Sequence, residues 1–275
     1  MPELPEVETV ARDLRGAVVG RTIGHVDVLH GGVIRFPLPE AFAAGLTGAR
    51  IEAVDRIGKF ILCPLDTGDE LVIHLGMTGH VLVVASPSEP LAPHTHLRCG
   101  LDDGRELRYD DVRRFGRLLL GTREELRAAR ALPPLGVDPM TSEFTFAQLD
   151  ALLRRTTRML KAALLDQGGV AGLGNIYVDE VCFLAGVRPT RRCHRLTRRE
   201  RQAIFDAIPV ILRKAIDARG SSVDDYRDVW NAQGSMQERL QVYGRGGQPC
   251  FRCGTVLTRT VVGGRTTVYC PRCQR

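Results

Sequence analysis

Met1-Pro2-Glu3-Leu4-Pro5-Glu6-Val7-Glu8-Thr9 opens the chain and carries two signals. The first is structural. Pro5 suits the first turn of a helix, Glu6 and Glu8 suit its positive end, and Val7, Val10, Ala11, Leu14 and Val18 recur at helical spacing before Gly20, a natural stop. The second is chemical. Removal of Met1, which a small second residue such as proline permits, leaves Pro2 with a free secondary amine at the mouth of that helix. With reference pKa values of about 8 for a terminal amine and about 10.4 for a lysine, roughly 10% of the former and roughly 0.04% of the latter is free base at pH 7. The helix dipole lowers the amine pKa further by disfavouring its protonated form. A secondary amine condenses with a sugar aldehyde to a cationic iminium, an electron sink suited to elimination, and Glu3 beside it can shuttle protons. The plain alternative is a capped helix start whose residues only set geometry.

At 275 residues the chain can bury a sizeable core and divide into two domains or slightly more. No apolar run approaches the roughly 20 residues of a membrane span, and no charged-then-apolar signal segment opens it. A soluble intracellular protein without a membrane partner is expected. The formal net charge of +6 is unevenly placed: from Arg239 to Arg275 there are seven arginines (239, 245, 252, 259, 265, 272, 275) and no acid. That pattern suits a polyanion-binding module, and equally a solvated basic tail. Of 38 basic residues only Lys59, Lys161 and Lys214 are lysines, and lysine, unlike arginine, can deprotonate when its surroundings demand it.

The eight cysteines fall into two groups. Cys63, Cys99, Cys182 and Cys193 are scattered in mostly apolar surroundings and read as reduced, buried thiols. Cys250, Cys253, Cys270 and Cys273 form C-x2-C-x16-C-x2-C. This spacing places two tight knuckles on one hairpin and predicts a tetrahedral thiolate site for one Zn2+. Four thiolates leave no open position, so the metal is structural.

Between these ends, residues 21–120 read as short strands at 22–30, 51–56, 60–65, 70–75, 80–85, 96–101, 106–110 and 116–120, punctuated by Gly, Asp and Pro. That pattern predicts an antiparallel sandwich or barrel. Leu132-Pro133-Pro134-Leu135-Gly136-Val137-Asp138-Pro139 marks a boundary. Beyond it the period becomes helical at 146–154, 158–166, 176–185 and 198–218, and 219–238 reads as a long polar loop holding Trp230, the only tryptophan. Gln167-Gly168-Gly169-Val170-Ala171-Gly172-Leu173-Gly174-Asn175 opens the third of these helices with a turn able to cradle phosphate. The expected domains are 1–132, 133–238 and 239–275. Taken singly, Lys59 after Gly58, Met77 in Gly76-Met77-Thr78-Gly79, and Phe115 in Arg113-Arg114-Phe115-Gly116 read as a surface lysine, a core methionine and a core phenylalanine.

Pro2-Glu3-Leu4-Pro5-Glu6-Val7-Glu8-Thr9, the turn through Asn175 to Asp179-Glu180, and the cysteine hairpin stand in the order found in bacterial formamidopyrimidine-DNA glycosylases, a family the chain resembles from end to end. The resemblance implies an α+β protein: an N-terminal helix with an antiparallel β-sandwich, a helical domain with a helix–two-turn–helix, and a C-terminal β-hairpin zinc finger. It implies a monomer of the bacterial cytoplasm and nucleoid that excises oxidised purines from double-stranded DNA containing an oxidised base or abasic site. Pro2 would form a Schiff base at C1′, Glu3 would handle protons, and Lys59 and Arg265 would grip phosphate at the damaged nucleotide. Met77, Arg113 and Phe115 would fill the gap left by the everted base. His94 and Asn175 join the DNA-binding set, whereas Glu180 is expected to support the phosphate turn and Lys161 has no assigned role. Two positions depart from the family pattern: Val112 replaces the usual proline before the arginine pair, and Trp230-Asn231-Ala232-Gln233-Gly234 lacks the common glycine-aromatic pattern.

Two other readings stay open. One is an endonuclease VIII-like enzyme for oxidised pyrimidines, against which Leu4-Pro5 and the complete Met77, Arg113 and Phe115 set speak. The other is a zinc-dependent protein that binds damaged DNA without cutting it, which needs Arg265 and the cysteines but neither Pro2 nor Glu3.

Overall fold

The computed structural model describes every residue of the chain except position 224. It divides into two compact units, Met1–Pro133 with Ala218–Ser235, and Pro134–Asp217 with Met236–Arg275. Among the described residues no helix is long and apolar enough to cross a membrane.

The first unit starts with α1 (Leu4–Val18), whose Val7, Val10, Ala11, Leu14 and Val18 are buried as the spacing predicts. Among the described residues two sheets follow. One has the order β1-β7-β8-β6, with β1 (Ile23–Val28), β6 (Gly79–Val84), β7 (Thr95–Leu101) and β8 (Glu106–Asp111). The other has the order β2-β9-β5-β4-β3, with β2 (Ile34–Phe36), β3 (Asp55–Ile57), β4 (Phe60–Pro64), β5 (Glu70–His74) and β9 (Arg117–Gly121). Every pairing is antiparallel except β2 with β9, which is parallel. Residues of both sheets and of α1 share one core, with Val10, Leu14, Ile61, Ile73, Val81, Leu107 and Leu118 in it.

Two short helices interrupt the stretch expected to be strands and turns, or follow it: α2 (Pro39–Leu46) and α3 (Arg123–Ala128). Pro39 sits in the first turn of α2, and Phe42 and Leu46 are its buried residues. One turn of spacing is too little for the period to show.

The segment expected as a polar loop of the helical domain packs instead with the first unit. Tyr226 and Val229 lie in the core of that unit, and the Val83 N–H donates to the Val229 carbonyl at 3.0 Å. Two apolar side chains among many polar ones were too sparse a signal.

The second unit comprises α4 (Phe146–Arg154), α5 (Leu160–Leu164), α6 (Asn175–Ala185), α7 (Arg198–Asp217) and a hairpin of β10 (Thr258–Val262) and β11 (Arg265–Tyr269). Thr145 caps α4 in a reciprocal pair with Gln148. Gly263 and Gly264, at φ 57° and 74°, make the two-residue turn between β10 and β11, a conformation that suits glycine at both positions. Cys63, Cys99 and Cys182 are fully buried, and burial pushes the Cys63 and Cys99 thiols up to about 12. They are inert structural thiols.

Candidate functional site

Glu3 is the residue before α1, and it and Pro2 are buried. The Glu3 N–H donates to Glu6 Oε2 at 2.8 Å, and the other oxygen, Glu6 Oε1, accepts from the Ser221 N–H at 2.7 Å. One carboxylate thus ties the helix start to the 218–235 segment of the same unit. Met1 precedes Pro2 in the described chain. Two residues further on, Glu8 pairs with Arg56 at 2.7 Å, and Arg56 also donates to the Gly58 carbonyl at 2.9 Å. These bonds fasten α1 to the turn that presents Lys59. That lysine is only 5% exposed and is therefore no ordinary surface cation.

Nearby on β5, His74 is a residue to which sequence reasoning gave no role. Burial first, then the charges of Arg117 and Lys59, bring its pKa down to about 4. It is thus neutral at physiological pH. Its ring lies 4.7 Å from that of Phe60, and its Nδ1 accepts from the Gly76 N–H at 3.3 Å. The signal available in the sequence was a histidine at a strand end, directly before a glycine-flanked turn.

Gly76, at φ 62°, lets the Met77 turn approach a second loop. A Cβ there would meet the Phe115 carbonyl carbon at 2.5 Å, so no larger residue fits. Asp111, fully buried, holds the two loops together. It accepts from Thr78 Oγ1 at 2.6 Å, from the Arg113 N–H at 3.2 Å and from the Gly116 N–H at 2.7 Å. The Arg113 guanidinium lies 4.7 Å over the Phe115 ring. Phe115 is 50% exposed and is not a core residue, while Met77 is half-buried. His94 is exposed, and its carbonyl accepts from the Asp111 N–H at 3.0 Å. The Met77 turn and the loop of Arg113 and Phe115, 36 residues on, are therefore brought together through Asp111, with the Phe115 ring exposed. Asp111 was missed because nothing local marks a carboxylate whose partners are backbone N–H groups.

In the second unit Asn175 is the first residue of α6, after Gly174. Its Oδ1 is buried with no hydrogen-bond partner among the described residues. The positive end of an α-helix with an amide side chain at its first position is chemically suited to an anion. The turn before it is braced by Gln167, which donates to the Leu173 carbonyl at 2.8 Å and accepts from the Gly172 N–H at 2.8 Å.

Glu180 does not serve that turn. Its carboxylate accepts from the N–H groups of Gln241 (2.9 Å), Val242 (2.8 Å) and Tyr243 (2.9 Å). Three successive donors converge on one anion, as in a backbone nest. Burial raises the Glu180 pKa, opposed by these same bonds. Next to it Asp179 meets Lys161. Lys161 Nζ is fully buried, 2.7 Å from Asp179 Oδ1 and 2.9 Å from the Thr266 carbonyl, and Asp179 Oδ2 accepts from the Val268 N–H at 3.0 Å. Lys161, which had no assigned role, thus anchors β11. Burial pushes the Asp179 carboxyl up to about 6, against the pull of Lys161.

Arg265, exposed, is the first residue of β11 and pairs with Val262 across the hairpin, one residue past the glycine turn. The sulfurs of Cys250, Cys253, Cys270 and Cys273 all lie within 4.8 Å of one another. A tetrahedral zinc with thiolates at about 2.3 Å needs sulfurs about 3.8 Å apart, so this set fits one Zn2+ with no open position.

The comparisons with known proteins follow the same division. Residues 1–118 match the formamidopyrimidine-DNA glycosylase N-terminal domain, 135–227 the formamidopyrimidine-DNA glycosylase H2TH domain, and 247–275 a zinc finger found in FPG and IleRS. The formamidopyrimidine-DNA glycosylase of Geobacillus kaustophilus is 45% identical over 276 residues, with 100% of both chains covered. The chain belongs to the formamidopyrimidine-DNA glycosylase family. Its relative from Heliobacterium modesticaldum is 46% identical over 279 residues, again with 100% of both chains covered. Among solved structures, a Lactococcus lactis FPG variant in complex with a Fapy-dG-containing DNA superposes with a TM-score of 0.91 at 36% identity, covering 100% of both chains. The MutM (FPG) protein of Thermus thermophilus gives 0.88 at 41% identity, covering 99% of this chain and 98% of its own. The α+β fold and the structural zinc site expected from sequence are those of this family.

Proposed function

We propose that this protein is a DNA glycosylase of base excision repair that removes oxidised purines, 8-oxoguanine and formamidopyrimidines, and then nicks the strand as an abasic-site lyase. The observation that carries the reading is the buried Pro2-Glu3 pair at the head of α1, locked by the Glu6 carboxylate at 2.8 Å. A helix start so fixed presents, after loss of Met1, a secondary amine beside a carboxylate in a site the positive end of the helix makes unfavourable for protonated amine.

The Pro2 nitrogen attacks C1′ of the damaged nucleotide, and the base leaves with the electrons of the glycosidic bond. The sugar ring opens to an iminium, and loss of a proton from C2′ expels the 3′ phosphate. A second elimination expels the 5′ phosphate, leaving a one-nucleotide gap with phosphate at both ends. Glu3 moves the protons. Lys59 and Arg265 bind phosphate at the damaged nucleotide, Asn175 binds a flanking phosphate, and His94 adds a DNA contact. Met77, Arg113 and Phe115 occupy the space vacated in the stack, which offsets the few kcal/mol that eversion costs. The geometry supporting this last step is the common Asp111 clamp on their two loops. Zinc holds the hairpin that bears Arg265.

The test is borohydride reduction of Met1-free protein with duplex carrying 8-oxoguanine opposite cytosine. A covalent adduct of protein and DNA is expected, and chemical blocking of the Pro2 nitrogen should abolish it. A folded, Met1-free protein that binds the duplex and yields no adduct would be a binding module. Faster release of an oxidised pyrimidine in a parallel reaction would move the substrate preference to the endonuclease VIII-like class.

A further inference from the structure

The buried or half-buried arginines Arg98 and Arg108 are neutralised by Glu106, and Arg56 by Glu8. Four exposed arginines, Arg35, Arg114, Arg117 and Arg130, line an open basin of about 540 Å³ that Phe115 also lines, and no carboxylate lines it. Among the described residues none of the four makes an ion pair; Arg35 donates only to the Arg114 carbonyl, at 3.5 Å.

The backbone at two of the four positions is unusual. Arg114 and Arg130 have φ 55° and 52°, in the region where glycine or asparagine sits with least strain. Arg130 follows α3, and the Ala131 N–H returns to the Leu126 carbonyl at 3.0 Å, the helix-ending motif whose left-handed residue is usually glycine. A long cation at each of these turns points to a use for the side chain. Four arginines around one basin that no carboxylate lines suit an anion, and guanidinium matches the oxygens of a phosphodiester two at a time.

We propose that this basin is a further phosphate site of the first unit, holding a backbone phosphodiester of duplex DNA beyond the damaged nucleotide. The proposal rests on the DNA-repair reading above. Arg114 lies between Arg113 and Phe115 in sequence and lines the basin, so the loop that enters the stack also grips the backbone. Backbone contacts fix the register of a protein on a duplex, and a wedge needs such a fix to insert at one step.

The triple variant Arg35→Gln, Arg114→Asn, Arg130→Asn removes three charges while asparagine keeps the left-handed backbone. Binding is measured by anisotropy on a duplex bearing a reduced abasic-site analogue, over a range of salt. Removal of each phosphate-binding cation should flatten the slope of log affinity against log salt by about 0.9. Affinity at 100 mM salt should fall about tenfold, with the borohydride adduct still forming at saturating protein. A folded variant with the slope and affinity of the unsubstituted protein overturns the proposal.

A second measurement avoids the substitutions. Single methylphosphonates are walked along the duplex with the unsubstituted protein. At least one position not flanking the lesion should weaken binding to this protein and leave the triple variant unaffected. Full additivity at every position overturns the proposal. If the unsubstituted protein itself neither prefers the damaged duplex nor forms the adduct, the repair reading fails and the basin's ligand fails with it. If only the variant behaves as the original, the basin alone fails.

Discussion

The head of α1 and the zinc hairpin both carry residues assigned to chemistry or DNA contact, and they are held in different ways. Glu3, Lys59 and the Met77 and Phe115 loops ride on a sandwich with a large apolar core, and single carboxylates, Glu6, Glu8 and Asp111, fix their local geometry. The hairpin bearing Arg265 has a small core of Phe183, Val242, Leu257, Val268 and two cysteines. It relies on metal and on the paired anchors Asp179 and Glu180. Little apolar area is available to so short a segment, and ligands or ionic ties supply what burial does not. Losses in the two regions should therefore differ in kind: local in the sandwich, global in the hairpin.

The most severe way to break this contrast is removal of the metal. Chelation, or Cys250→Ser, should unfold the hairpin and reduce DNA binding by about two orders of magnitude or more, since metal binding is folding free energy in such modules. Near-ultraviolet dichroism and hydrogen exchange of the sandwich should stay unchanged. Full affinity in the metal-free protein would erase the distinction.

Next is Lys161→Met, which leaves the Asp179 carboxylate buried without its cation. Breaking a buried pair on one side costs about 3–5 kcal/mol, and denaturant unfolding followed in the second unit measures it. Lys161→Met with Asp179→Leu should recover part of the loss. No recovery would mean that the bonds to Thr266 and Val268, rather than the charges, hold β11.

Asp111→Asn is a milder change in the sandwich. An amide cannot accept from Thr78, Arg113 and Gly116 at once, and each unmet donor costs about 1–3 kcal/mol if it stays buried. The expected outcome is a disordered Met77–Phe115 pair of loops, with a raised KM for damaged duplex and little change in global stability.

The smallest effect is in pH. His74 has its pKa lowered from 6.5 to about 4, so its folded state resists protonation, and this group withdraws stability as pH falls from 6.5 through 4. Asp179 has its pKa raised from 3.8 to about 6, so its folded state takes up a proton more readily. Its contribution is fully present below 3.8 and is lost as pH rises through 6. Hydrogen exchange between pH 7 and pH 4 should therefore show opposite trends attributable to these groups. His74→Asn should flatten one trend and Asp179→Asn the other. Equal slopes before and after substitution would remove electrostatics from the comparison.

Much of this architecture was legible in the sequence. The run from Val7 to Val18 marked α1, and the short segments between Gly, Asp and Pro marked seven of the nine sandwich strands to within a few residues. The segment 51–56 met its strand, Asp55–Ile57, only at its end, and β2 was not seen. Three residues of β2 pair in parallel with β9 and are too few to show a period. The grouping of Met77, Arg113 and Phe115 came from likeness to a family, because 36 residues separate the two loops at Met77 and Arg113 and no periodic pattern links them.

What the sequence determined by itself was short-range: a proline directly after Met1, helical and strand periods, and two C-x2-C knuckles whose spacing specifies a tetrahedral site. These depend on neighbours within one or two turns of chain. Tertiary structure alone decided which carboxylates are tethers. Glu6 reaches the Ser221 N–H 215 residues away, Glu180 the Val242 N–H 62 away, and Asp179 the Val268 N–H 89 away. The physical reason is that every residue but proline offers the same backbone donor, so the partner of a buried carboxylate leaves no mark in the sequence until the chain has folded.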